Sequence, residues 1–517
     1  MRKPAGIAPR DKNVPRYDSK MFQTSKKRTI LPLVFLVSAA VAVRCLPGEQ
    51  PSVPMIASQQ SAFSLVGQDS YPSTFLVPSG PSSNSPTSSD TLDLSPRRVA
   101  EQPSDASDSG TDLSLFEKRL DALEKELKEL ERRPTKSSST TYPTLKLRGH
   151  ILIDAAAFSQ DNEDRERYDE QDGVDIAVAR IIGEGNIAEN AGYKLEFDYV
   201  KNTIGDLYLE FRELPYLHNL RLGYMKEPFS LEQLLSPKYT ITMDRAFARV
   251  VHPQFRRIGV LSYDTWGDER GTWAIGLFAD GLSSKVQDDR FGGAITGRIT
   301  WLPWADRQDV SRNLLHLGMS YSYRRPFAEK TRFWASSGSL LGSRILDTRE
   351  LLADDVHLLG TELAFVRGPF SIVTEWNLAW VKLLNGQQAD VNGCYTTIGY
   401  FLTGESRQYS TKTGLFGKVV PNHDVWWFSR PPDSEKQSSS GLGWGAWELL
   451  YRYSYGDAFD DGILPGGQAA SHTVGINWYP NAFTRVAMET IAVESSPNWG
   501  KPDGHLQIFQ IRTQVEF

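Results

Sequence analysis

"QIRTQVEF", residues 510–517, is a run in which every second side chain is of one kind. Val515, Thr513 and Ile511, with Phe509 one step before them, form a largely apolar set, while Glu516, Gln514, Arg512 and Gln510 form a polar one. A side-chain period of two marks a β-strand whose faces meet different surroundings. Two environments fit: a soluble sheet lying over a core, or a barrel wall between lipid and a water-filled lumen.

Composition narrows the choice. Mean hydropathy is -0.39, and beyond the N-terminal region no stretch approaches the roughly 20 apolar residues a membrane-spanning helix needs. Helical membrane proteins are excluded; barrels are not, because lumen-facing residues dilute the hydropathy of every strand. Aromatic residues make up 11% of the 517-residue chain, with 13 Trp and 20 Tyr, enough to furnish interfacial girdles. Cys45 and Cys394 form no CxxC pair and the eight histidines are scattered, so no metal site, cofactor or redox chemistry is expected. The formal charge of -6 gives no reason to expect nucleic-acid binding.

The N-terminal part has its own organisation. Lys26, Lys27 and Arg28 precede an apolar run from Ile30 to Val43 that ends in a small-x-small site at Ala40 and Ala42, the layout of a secretory signal peptide, and Met21 is a candidate initiator. Residues 1–45 are therefore read as a signal region. Residues 46–111 are read as a disordered linker; 17 of the 40 residues from 71 to 110 are Ser or Pro, too few apolar groups to offset chain entropy. Within 112–133, Leu113, Phe116, Leu120, Leu123, Leu127 and Leu130 follow a 3-4 spacing, the seam of a short coiled coil of undetermined strand number.

From 141 to 517 the pattern is β throughout. In "GYKLEFDYV", Tyr193, Leu195, Phe197 and Tyr199 oppose Lys194, Glu196 and Asp198; in "HLGMSYSYR", Leu317, Met319, Tyr321 and Tyr323 oppose Ser320, Ser322 and Arg324. "WELLYRYSYG" sets Trp447, Leu449, Tyr451, Tyr453 and Tyr455 against Glu448, Arg452 and Ser454. About sixteen such segments are expected, an even number as a bacterial barrel requires. Trp301, Trp304, Trp478 and Tyr479 fall at strand ends, where headgroups would meet an aromatic belt. Phe517 resembles the terminal-strand signal by which outer-membrane barrels are recognised for insertion by the assembly machinery. The fold expected is an all-β transmembrane antiparallel barrel. "GEGNIA" (183–188) satisfies a GxGxxA pattern, but no helix follows, so it is a strand-to-turn coincidence. Ser471 and His472 are sequence neighbours and so face opposite sides of a strand, which removes that pair as hydrolase machinery.

The chain resembles the phosphate-selective porins of the O and P type from about 145 to 517. The resemblance rests on "YMKEPFSLEQLLSPKYTITMDRAF" (224–247), "YFLTGESRQYS" (400–410), "GAWELLYRYSYGD" (445–457), "HTVGINWYPN" (472–481) and the closing strand. It implies a homotrimer of sixteen-stranded barrels in the bacterial outer membrane, surrounded by lipid, with the N-terminal region in the periplasm and a long loop after Tyr224 folded into each lumen. Basic residues at the constriction of such porins stand in for the water around a passing anion such as phosphate. By position, Lys238 and Arg245 match that loop's basic residues and Arg221 a basic lumen position on the preceding strand. By alternation, Arg148, Arg298, Arg452 and Arg512 also point inward.

There are departures. Where such porins carry paired arginines in the second strand, "DIAVAR" leaves Arg180, and Gln233 stands where the loop can carry a further Lys. Residues 1–140 hold 19 Lys+Arg and 16 Asp+Glu, which leaves 38 and 47 for the barrel region. The expectation is a passive pore for small hydrophilic solutes, with anion preference if the throat is basic. A general non-selective porin and a trimeric envelope anchor working through the coiled coil are the alternatives.

Overall fold

The computed structural model describes residues 141–517 apart from 166–167, 253–254, 280–291, 307, 426–442, 461 and 497–503. The signal region, linker and coiled coil expected within 1–133 lie outside the described residues.

Sixteen antiparallel strands close into a barrel. In order they are β1 Lys146–Gln160, β2 Gly173–Ala188, β3 Ala191–Asp198, β4 Thr203–Leu214, β5 His218–Lys226, β6 Arg256–Trp266, β7 Gly271–Ala279 and β8 Gly293–Ala305. The second half comprises β9 Asn313–Arg325, β10 Leu351–Arg367, β11 Phe370–Leu383, β12 Gln388–Phe401, β13 Ala446–Asp460, β14 Leu464–Asn481, β15 Thr484–Ser496 and β16 Gly504–Glu516. Each pairs with the next, and β16 pairs back onto β1 from His150↔Glu516 to Gln160↔Leu506. At that seam Gly149 and Phe517 exchange backbone hydrogen bonds of 2.8 and 3.0 Å. The Phe517 ring lies over Gly149, where a Cβ would collide with it; an aromatic covering a strand glycine protects an otherwise weak pairing.

The alternation resolves into an inside-out protein. Leu195, Leu209, Ile258, Ile275, Ile299, Met319, Val474 and Phe509 are exposed, while Thr296, Ser320, Ser322, Glu375, Asn477, Arg485 and Arg512 are buried. Soluble proteins bury the first kind of residue and expose the second. A polar interior behind an apolar outer wall is the pattern of a transmembrane barrel. Trp301 and Trp304 are exposed at strand ends as expected. Trp478 stacks on Trp447 at 5.4 Å, and both indole N–H groups donate to the Trp444 carbonyl. Tyr479 departs from the belt reading: one residue past Trp478 it must face inward, where it is buried and its hydroxyl donates to Glu448 at 3.1 Å. "GEGNIA" runs along the end of β2 into a turn, with no helix after it. Ser471 is buried, whereas His472 faces outward and meets the Tyr451 hydroxyl at 2.9 Å.

Among the described residues three connections enter the lumen, where the family resemblance implies one. The β5–β6 connection (227–255) and the β9–β10 connection (326–350) enter from one end. Phe229, Phe247 and Val250 of the first pack with Phe333, Ala335 and Leu346 of the second. The β12–β13 connection (402–445) starts from the opposite end, where most connections are short turns, and sends Tyr409, Leu415 and Phe416 against Leu231, Leu235 and Ile241.

Candidate functional site: a basic passage beside an anchored loop

The 227–255 loop is fastened to one half of the wall. Its one-turn helix, Leu231–Leu234, directs the backbone N–H groups of Leu231 and Glu232 at the Glu375 carboxylate of β11, at 2.9 and 2.6 Å. At the other end of that turn, Lys226 of β5 donates to the carbonyls of Gln233, Leu234 and Leu235 at 2.8–3.1 Å. Carboxyl oxygens at the N-terminal end and an amine donor at the C-terminal end satisfy groups the turn cannot satisfy itself. Further along, Met243 N–H donates to Glu489 at 2.8 Å and Phe247 N–H to Ser454 at 2.7 Å. Asn477 reaches the Ile241 carbonyl at 3.0 Å, and Arg485 that of Thr240 at 2.8 Å. The backbone comes so close that a Cβ on Gly393 of β12 would sit 2.8 Å from Ala248 Cα. Buried backbone groups need partners, and the inward polar residues of β11–β16 supply them.

On the opposite side, against β2–β8, a cavity of about 360 Å³ stays open. Its lining includes nine basic residues, Arg148, Arg180, Lys194, Arg221, Lys226, Lys238, Arg256, Arg298 and Lys412, and four acidic ones, Glu184, Glu196, Asp206 and Asp264. Carboxylates pair with many of these cations: Arg180 with Asp198 at 2.8 Å, Arg221 with Glu210 at 2.8 Å, Lys194 with Asp206 at 2.6 Å and Arg256 with Asp206 at 2.8 Å. In several of these pairs, though not in Arg256 with Asp206, the basic side chain is the more exposed. Arg221 is 31% exposed against 18% for Glu210, and Lys194 21% against 5% for Glu196. The surface a solute meets is more basic than the wall as a whole.

The predicted residues divide between these two surroundings. Arg148, Arg180, Arg221, Arg298 and Lys238 line the cavity. Lys238 is paired with Glu516 at 2.7 Å and lies over the Tyr239 ring; Arg298 binds Glu362 through both Nε and a terminal nitrogen at 2.8 and 2.7 Å. Arg245, Arg452 and Arg512 do not line it. Arg245 donates to the carbonyls of Glu232 and Leu235 at 3.3 and 3.1 Å, inside its own loop. Burial, with Arg249 beside it, pushes its guanidinium down to about 10. Arg452 holds Glu232 at 2.6 Å and the Asp244 carbonyl at 3.1 Å. Arg512 grips Asp154 across the closing seam with two bonds of 2.6 Å and also donates to the Met243 carbonyl.

Sequence reasoning missed Lys194, Lys226, Arg256 and Lys412. The alternation in "GYKLEFDYV" already turned Lys194 inward, so it was within reach of that rule, whereas Arg256 opens β6 on the parity of the exposed Ile258 and Val260 and was not. Lys226 closes β5, and Lys412 arrives from the β12–β13 connection, a placement no local pattern announces.

A closed wall that is apolar outside and polar inside, with a lumen narrowed by an inward loop to a basic passage, defines a membrane-spanning barrel of porin type. A family model described as phosphate-selective porin O and P matches residues 145–517, and the chain belongs to that family. An uncharacterized protein of Caulobacter vibrioides is 28% identical over 329 residues, covering 60% of each chain; the chain thus spans about 60% of that relative's length. Porin O of Pseudomonas aeruginosa is 24% identical over 357 residues, 60% of this chain and 75% of its own. Among solved structures, an anion-selective porin from Comamonas acidovorans has a TM-score of 0.45 at 12% identity, covering 72% of this chain and 99% of its own. OmpT of Vibrio cholerae in its trimer form has a TM-score of 0.44 at 10% identity, covering 72% and 99%.

Proposed function

We propose that the protein is a passive diffusion channel of the outer membrane for small hydrophilic solutes, with a preference for anions. No chemical step is involved: solutes move through the lumen, and the charge of the narrow section sets which ions enter. The observation that carries this reading is the lining of nine basic side chains against four acidic ones, in a barrel region where acidic residues outnumber basic ones 47 to 38. A narrow passage with low-dielectric walls focuses the field of the nearest charges, so the local basic excess governs entry more than the net charge does. The test is the zero-current potential of the purified protein in a planar bilayer across a KCl gradient. A chloride-preferring potential supports the reading; a potassium-preferring one reduces the protein to a general porin.

The porin reading brings with it a homotrimer in lipid, inserted by the barrel assembly machinery, with Phe517 as the insertion signal and the N-terminal region in the periplasm. An anchoring role for the 112–133 heptads is the second reading, favoured by the unbroken Leu113–Leu130 seam. Deleting residues 46–140 separates the two, because loss of envelope integrity with conductance intact assigns the primary role to anchoring.

A further inference from the structure

Arg221 sits in a cradle built by three neighbouring strands. Its guanidinium carbon lies 4.8 Å from the ring centroid of Tyr208 on β4 and 4.5 Å from that of Tyr263 on β6. Its Nε donates to Glu210 Oε1 at 2.8 Å, and the Tyr263 hydroxyl donates to that same oxygen. The two rings fix the guanidinium plane, and two donors converge on one oxygen. That donor set suits any oxyanion, phosphate included. The place is filled by the protein's own carboxylate.

We propose that Glu210 is a specificity-determining residue: it occupies the oxyanion place on Arg221, so that the passage attracts anions through its field while holding phosphate only weakly. This rests on the anion-preferring channel reading above. A tethered, oriented carboxylate competes at an effective concentration that a dissolved anion in the millimolar range does not reach. The same arrangement recurs along the passage, as in Arg148 with Glu184 at 2.5 Å and Lys238 with Glu516 at 2.7 Å. Two described lining cations depart from it: Lys226 is held by three loop carbonyls instead of a carboxylate, and the Glu269 carboxylate is 4.0 Å from Lys412. Cations neutralised at contact still contribute a field when they lie nearer the lumen than their partners. A site that binds and desolvates a solute needs donors that are free.

The experiment records chloride current through the full-length protein in planar bilayers while inorganic phosphate is added. The wild type is expected to show a chloride-preferring zero-current potential and little phosphate block at millimolar concentration. Glu210→Gln removes the internal anion and keeps the side chain's size. It is expected to lower the half-blocking phosphate concentration by about tenfold or more, the scale of one charge-assisted hydrogen bond. Glu210→Asp, which keeps the charge, should stay near the wild type, and Glu210→Gln with Arg221→Gln should lose the gained block. Block of the wild type at micromolar phosphate, or a Glu210→Gln variant that folds, conducts and blocks no better than the wild type, overturns the proposal. A potassium-preferring wild type instead overturns the anion reading beneath it, so the two failures are told apart.

Discussion

The two halves of the barrel wall use the same inward residue types for different ends. Along β11–β16, Glu375, Arg452, Asn477, Arg485, Glu489 and Arg512 are buried and bonded to the backbone or side chains of the 227–255 loop or to one another. Along β2–β8, Arg180, Lys194, Arg221 and Arg256 face open space, each with a carboxylate partner. An arginine that faces inward is therefore a strut on one side and part of a solute's surroundings on the other. The difference is set by where the loop lies. That in turn depends on close approach at Gly393 and Gly456, where a Cβ would sit 2.8 Å from Ala248 Cα and 2.9 Å from Phe247 Cβ.

This contrast can be broken most severely at the strut side. Arg512→Leu leaves the buried Asp154 carboxylate unpaired, and losing one member of such a pair costs about 3–5 kcal/mol. The expected readout is loss of the heat-modifiable folded band on gels run without boiling, whereas Arg148→Leu, at a half-exposed pair, should leave that band unchanged. Next in size is the loop's tether. Glu375→Ala removes the acceptor of two loop N–H groups and of the Tyr395 hydroxyl, so the loop should loosen, with unsteady single-channel current and a rise in mean conductance. Gly393→Val should act in the same direction by pushing the loop from the wall.

A smaller effect sharpens the comparison within the loop itself. Lys238→Gln should shift the zero-current potential toward potassium because Lys238 lines the cavity. Arg245→Gln should leave that potential nearly unchanged, because its guanidinium is spent on the Glu232 and Leu235 carbonyls. Equal shifts from the two substitutions would mean that distance from the passage does not govern selectivity here.

The wall was legible from the chain because strand geometry is local. Alternation assigned Leu195, Met319 and Tyr451 outward and Glu196, Ser320 and Arg452 inward, and the structure places them so. The approximate strand number followed from the same rule. What alternation does not encode is which inward residues are covered, since that depends on loops arriving from elsewhere in the chain. Arg452 and Arg512 share the parity rule with Arg180 and Arg221, yet the first two lie beneath the 227–255 loop and the second two do not. Tyr479 was misplaced because strand-end position was given more weight than its parity relative to Trp478. The β12–β13 connection gave no sign that Phe416 would pack beside Leu235 inside the lumen, because such a contact is tertiary.

In the proposed channel, solutes travel along β2–β8 and are kept from β11–β16 by the loop. This path is tested most directly by placing a single cysteine at Arg221 or at Arg452, with Cys45 and Cys394 replaced. Each pore is then exposed to a charged, membrane-impermeant thiol reagent during current recording. A prompt, stepwise change of current is expected for Arg221→Cys and none for Arg452→Cys. Reaction at Arg452→Cys with Arg221→Cys silent would put the passage on the other wall and contradict that path.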